Sequence, residues 1–380
     1  MNQGVLRLLG LLLAVVLGTG ILCLPVFCDE AMPEEFSDLS ELIPDEDREL
    51  LDEEMFSEDA QTAGKALEQM LTPSRLFGIL ESLGERAATG ALSLLATLAG
   101  LLMISAVLTA LSSTVGSAAL GGAVRFCTTV AIFAAILSHQ YQALLAVQAC
   151  LSRLCALMGM MIPIAGSVWA MGGNVGTATA GTGVLSVFLT LTEHLLSASI
   201  VPVCSFCMAA ALCGSIGPEP MLRGVSSTVK KTYTFLLGLV MSLLLFSLSA
   251  TTALSASADG MAARTAKLVS ATVIPTVGGS VGETLRTVAA SVQYLKGIVG
   301  FGGILLVLLL TLPVLLSLIG GRLAFLLAGG LAELLGCDNE SKLLGELGNI
   351  FGCMIAVCAM SGVMFILALT VFVKSTVAVA

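Results

Sequence analysis

The sequence predicts an all-α fold: a polytopic helical membrane protein with about six to eight spans, some broken or re-entrant. Three observations carry this. Of 380 residues, 57% are apolar and 11% are charged, against roughly 25% charged in a soluble domain. A chain this long cannot bury that much apolar side chain by itself, which excludes a water-soluble enzyme, and the composition is the opposite of a disordered one. The apolar residues also fall in runs of about 20, the length of a membrane-crossing helix.

The third observation is how the charge is partitioned. Residues 29–59 hold 15 acids and one base, Arg48, a net of -14, whereas residues 60–380 hold 11 acids and 15 bases, a net of +4. A short, very acidic segment therefore precedes a weakly basic body. Neither part carries a dense basic patch, so no nucleic-acid partner is expected.

Three regions follow in order. Residues 1–28 read as a signal peptide: Arg7 lies in a short basic start, Leu8 to Leu24 is apolar, and Pro25 breaks the run before a possible cleavage position at Val26-Phe27-Cys28. An uncleaved anchor is the alternative, and both place Asp29 onward outside the cytoplasm. Residues 29–86 read as an acidic extracytoplasmic segment with an amphipathic helix. Pro44 with Asp45, Glu46 and Asp47 marks a helix start, with acids at the positive end of the dipole. Leu50, Leu51, Met55 and Phe56 could form one apolar face there, or the stretch could be a solvated tether. Thr72-Pro73 is a second start. After it Leu76, Phe77, Leu80 and Leu83 recur at helical spacing, as in a helix lying on a membrane.

Residues 87–380 read as a multi-span transmembrane domain. Candidate spans are Ala87 to Leu111, Phe126 to Val147 (weakened by His139, Gln140 and Gln142), Cys155 to Met171 (interrupted at Pro163), Thr232 to Leu254, Ile298 to Ile319 (with Pro313 inside) and Ile350 to Val373. Val184 to Ile216 is too long for one span and is broken at Pro202. Arg125 and the basic stretch Arg223, Lys230, Lys231 should face the cytoplasm. Residues 255–297 would then lie outside with Arg264, Lys267, Arg286 and Lys296, against the positive-inside rule, so these assignments conflict.

Two stretches resemble each other: Ile162-Pro163-Ile164-Ala165-Gly166-Ser167-Val168 and Ile274-Pro275-Thr276-Val277-Gly278-Gly279-Ser280-Val281. Pro163, Gly166, Pro275, Gly278 and Gly279 are candidate helix breaks, because proline removes a backbone donor and glycine permits left-handed backbone. Paired breaks point to a transporter-like site, although such residues match cheaply in an apolar chain. Ser280 and Glu283 fit a capping box. The helix after it, with Leu285, Val288, Ala289, Val292 and Leu295 on one face, reads as interfacial or re-entrant.

Chemistry is sparse. Glu193-His194 is a candidate intramembrane polar pair, able to relay protons or bind an ion, or else to fix packing. With His139 the one other histidine, a multi-histidine metal site is not expected. Cys204-Ser205-Phe206-Cys207 lies in an apolar helix, where free Cys acts as a small hydrophobe. Gly100, Gly116, Gly121, Gly122, Gly300, Gly302 and Gly303 would let helices or subunits approach closely. Nothing forms a catalytic, cofactor or metal constellation. The residues read as non-enzymatic, with a stand-alone secondary transporter as the alternative.

The layout resembles the stage III sporulation protein AE family of endospore-forming bacteria. The most specific stretch is Ala263-Arg264-Thr265-Ala266-Lys267-Leu268-Val269 running into Val273 to Leu285, and the Gly-rich run Gly172 to Gly183 leading into Val184 to Glu193 also fits. The resemblance implies a multi-pass subunit, in the mother-cell membrane around the forespore, of a secretion-like channel complex. Its implied partners are other multi-span membrane proteins, ring-forming subunits, a cytoplasmic ATPase and the lipid bilayer, and it implies a role in late forespore development. The family has no catalytic motif to carry over.

Overall fold

The architecture is that of a computed structural model. It describes residues 43–44, 60–70, 72–114, 118–171, 175–192, 196, 198–216, 224–243, 246–247, 249–250 and 278–374. The expected signal peptide and residues 29–59, apart from 43 and 44, lie outside the described residues.

The described chain is helical, without strands. In order, the helices are α1 (Ala60–Met70), α2 (Pro73–Thr114), α3 (Ala118–Met171), α4 (Val175–Thr192), α5 (Ala198–Ile216), α6 (residues 224–243), α7 (Gly278–Leu334) and α8 (Asp338–Lys374). Five of them, α2, α3, α5, α7 and α8, are long and apolar enough to cross a membrane. At 1.5 Å per residue the 57-residue α7 is about 85 Å long, against a hydrocarbon core of about 30 Å. The longest helices therefore reach well past any bilayer they cross.

Helix starts follow the local signals. α2 begins at Pro73, where a missing N–H costs nothing, and Thr72 O accepts from Arg75 N at 3.0 Å and Leu76 N at 3.1 Å. The amphipathic stretch and the first span are one continuous helix. α7 ends in a Schellman turn: Gly336 takes φ 73°, Cys337 N donates to Ala332 O at 2.9 Å and Gly336 N to Glu333 O at 3.1 Å. Asp338 and Glu340 then occupy the first turn of α8, where the helix dipole favours negative charge.

Prolines interrupt less than the sequence suggests. α3 runs through Pro163 and joins the two expected spans at 126–147 and 155–171 into one helix. A proline inside a helix costs about 3 kcal/mol, and burial of Ile164, Val168 and Trp169 beside it offsets that cost. α7 likewise runs through Pro313 and unites the expected interfacial helix with the span after it.

Contacts fix the helix directions. Thr128 meets Glu340, His139 meets Phe351 and Cys150 meets Cys358, so α3 and α8 run parallel. Gly320 packs on Ala87 and Ala91 while Ser105 meets Cys337, so α2 runs parallel to α7, and α7 doubles back into α8. A Cβ at Gly320 would lie 3.1 Å from the Ala87 carbonyl oxygen, so α2 and α7 can approach this closely only without a side chain there. α4 runs antiparallel to α3 (Thr182 at Gly166, Leu189 at Gly159), and α5 runs antiparallel to α6 (Ser199 at Tyr233). α1 lies across α7, with the Tyr294 ring against Gly64. One side of α2 stays open: Leu92, Met103, Ile104, Val107 and Leu111 are exposed and uncharged, as a lipid-facing surface requires.

Candidate functional site

The most polar interior point lies where the α7–α8 turn meets α2 and α3. Glu340 is 2% exposed there. Its Oε1 accepts from Ser105 Oγ of α2 at 3.0 Å and from Thr128 Oγ1 of α3 at 2.8 Å. A buried carboxylate is costly unless hydrogen-bonded, and here two helices distant in sequence supply the donors. Thr128 Oγ1 also lies 3.0 Å from the Arg125 carbonyl oxygen, a second acceptor for the same proton. Cys337 in the turn approaches Ser105 Oγ at 3.9 Å. Burial pushes the Cys337 thiol up, which keeps it a protonated S–H donor. Ser341 Oγ donates to Glu333 Oε1 at 3.1 Å across the turn. The arrangement clamps three helices through one carboxylate.

A second polar group lies beside it along α8. Lys230 Nζ of α6 pairs with Glu346 Oε2 at 3.1 Å. Both border a cavity of about 310 Å³ with Ser227, Lys231, Thr234 and Asn349. Cys353 lines the same cavity, and Cys204 and Cys207 of the Cys-x-x-Cys are buried in α5 near Lys230, with Cys204 also near Cys353, all three as free thiols. Among the described residues no group of three His, Cys, Asp or Glu side chains is placed to hold a metal ion.

His139 stacks on Phe351 with ring centroids 6.5 Å apart and planes 10° from parallel. With Arg86, Pro313 and Ser317 it also borders a cavity of about 230 Å³ between α2, α3 and α7. Next to it Gln140 is buried, and its amide oxygen and nitrogen have no hydrogen-bond partner among the described residues.

Of the residues singled out from the sequence, two lie in α3 and two at the start of α7. Pro163 sits exposed inside α3, and Gly166 of the same helix lies at its contact with α4, where Gly166 receives Thr182 and Gly181 receives Trp169. Gly278 and Gly279 are the first two residues of α7, and Pro275 lies outside the described residues. Glu193 and His194 lie outside them as well. Glu340 was missed because Asp338-Asn339-Glu340-Ser341-Lys342 reads as a solvated loop. The available signal was Gly336 followed by acids, a helix stop and then a helix start.

A family model described as stage III sporulation protein AE matches residues 64–376, most of the chain and nearly all of the described bundle. No curated protein and no solved structure matches the chain.

Proposed function

The chain belongs to the stage III sporulation protein AE family, and from that premise we propose that it is a non-enzymatic membrane subunit of a sporulation-specific, secretion-like channel between mother cell and forespore. The observation that carries the reading is the shape of the body: span-length apolar helices of a sporulation family, four of them (α2, α3, α7 and α8) longer than one bilayer is thick. Such helices project polypeptide beyond the membrane, which a subunit bridging a gap between two membranes needs. In this reading residues 1–28 are a signal peptide, 29–86 lie in that gap, and 87–380 form the membrane body.

Orientation follows from charge. Arg125, Lys230, Lys231 and Lys342 gather at the end of the bundle that carries the α7–α8 turn, and that end faces the cytoplasm of the mother cell. There it would meet the cytoplasmic ATPase, while α1 and the start of α7 face the gap and the ring-forming subunits. The exposed face of α2 is covered by lipid or by another multi-span subunit.

Deleting the gene in its endospore-forming host tests this. Spore formation should stop after engulfment, with late forespore gene expression lost and restored by a plasmid copy. A deletion strain that forms heat-resistant spores at the parental frequency would overturn the proposal.

A further inference from the structure

We propose that the cavity between α6 and α8 binds the phosphate group of an anionic phospholipid, whose acyl chains lie along the outer face of α6. The cavity holds about 310 Å³, within the range of ligand pockets, about 300–1,000 Å³. Its wall carries Lys230 and Lys231 from α6 and Glu346 and Gly352 from α8. Lys230 is committed to Glu346 at 3.1 Å and cancels that carboxylate. Lys231 is exposed and, among the described residues, is paired with no carboxylate. A third cation reaches the wall from α7. A Cβ placed on Gly352 would lie 3.0 Å from Arg322 Nη1, so the guanidinium rests on the bare glycine. Arg322 too is paired with no carboxylate among the described residues. Three cations thus surround one carboxylate, and the surplus favours an anion. Ser227 and Asn349 add neutral donors to the wall. The Thr234 hydroxyl does not, because it donates to the Lys230 carbonyl oxygen at 2.9 Å.

The surface beside the cavity says what kind of phosphate fits. Lys231, Phe235, Leu239 and Leu243 follow at four-residue steps and form one slanting ridge of α6. Phe235 is 71% and Leu243 62% exposed, so the ridge faces outward. From Lys231 to Leu243 it runs about 18 Å, close to the ~15 Å of half a hydrocarbon core. Lys231 also stands directly before the apolar run Thr232 to Leu254, at the edge where headgroups lie. A phosphate held at Lys231 and Arg322 therefore places a lipid chain on the ridge, whereas a free phosphate would leave the ridge unused. Basic pockets between membrane helices are suited to anionic headgroups in this way. The inference rests on the membrane character of the body and is independent of the channel reading.

Native mass spectrometry tests it, on the full-length protein released from detergent after incubation with phosphatidylglycerol or with phosphatidylcholine. One phosphatidylglycerol per chain should stay bound in preference to phosphatidylcholine. Lys231→Met and Arg322→Gln should each raise the apparent Kd for phosphatidylglycerol about fivefold, the loss of one cation beside an anionic headgroup. Lys342→Met, which removes an exposed base at the same end of the bundle but outside the cavity, should leave it unchanged. Lys231 is exposed, so its variant keeps the fold and carries the test even where Arg322→Gln does not fold. Equal retention of the two lipids, an unchanged Kd in Lys231→Met, or an equal loss in Lys342→Met overturns the proposal. Displacement of the lipid by an equal concentration of inorganic phosphate overturns it as well, since the site would then take the free anion.

Discussion

Lys230 and Glu346, 116 positions apart in sequence, meet at 3.1 Å and tie α6 to α8. Their side chains are 12% and 21% exposed, so neither charge is fully hydrated when its partner is removed. Lys230→Met or Glu346→Gln should each lower the stability of the purified protein by about 2 kcal/mol, because one unpaired charge remains in a half-buried site. Lys231→Met, at an exposed neighbour, should change it by less than about 0.5 kcal/mol. Thermal unfolding in detergent measures both. Equal effects at 230 and 231 would show that the pair contributes nothing particular.

Trp169 packs against Gly181, where a Cβ would lie 2.7 Å from its Cζ3. Gly181→Ala should therefore push the ring out of its slot and cost about 1–3 kcal/mol, the usual range for overpacking. The chain has a single tryptophan, so its fluorescence reports this contact alone. The emission should shift to the red in Gly181→Ala and stay in place in Gly183→Ala, whose Cβ meets open space. The same shift in both variants would mean that α4 does not pack on α3 in this register.

The contrast between these two contacts and the sequence has a physical basis. Local signals were legible: Thr72-Pro73 opens α2, and the apolar runs lie in helices. The interruptions expected at Pro163 and Pro202 do not end their helices, since each proline removes only one donor. His139, Gln140 and Gln142 seemed to weaken the middle of α3, but His139 finds Phe351 in another helix. Glu340 was out of reach because its two donors lie 212 and 235 residues away. No periodicity in one segment encodes such a meeting.

Gln140 sets a sharper test of what is buried without compensation. Both its amide atoms lack a partner among the described residues, although the side chain is 1% exposed. An unmet buried amide costs about 1–3 kcal/mol, whereas an apolar side chain of similar size there is close to neutral. Gln140→Leu should therefore raise the unfolding temperature of the isolated protein. A fall in that temperature would show that the amide does have a partner, such as a bound water, in the folded protein.

Membrane topology offers the last test, and the unbroken α3 decides it. The sequence counted two crossings between 126 and 171, and on that count residues 184–216 must cross twice, or dip in and return, to leave both Arg125 and the basic stretch 223–231 in the cytoplasm. With α3 a single helix, its start and the start of α6 lie at one end of the bundle: Thr128 meets Glu340 and Lys230 meets Glu346, both in the first turns of α8. α4 and α5 both run back toward that end, α6 leaves it, and α7 returns to it. The proposed orientation then predicts residues 255–277 on the same side as the acidic segment. In a cysteine-free chain, an impermeant maleimide should label Asp45→Cys and Gly260→Cys on intact protoplasts. Leu120→Cys and Ser227→Cys should react only after the membrane is opened. Labelling of Ser227→Cys from outside would require a further crossing between α3 and α6 and would reverse the orientation argued for α6.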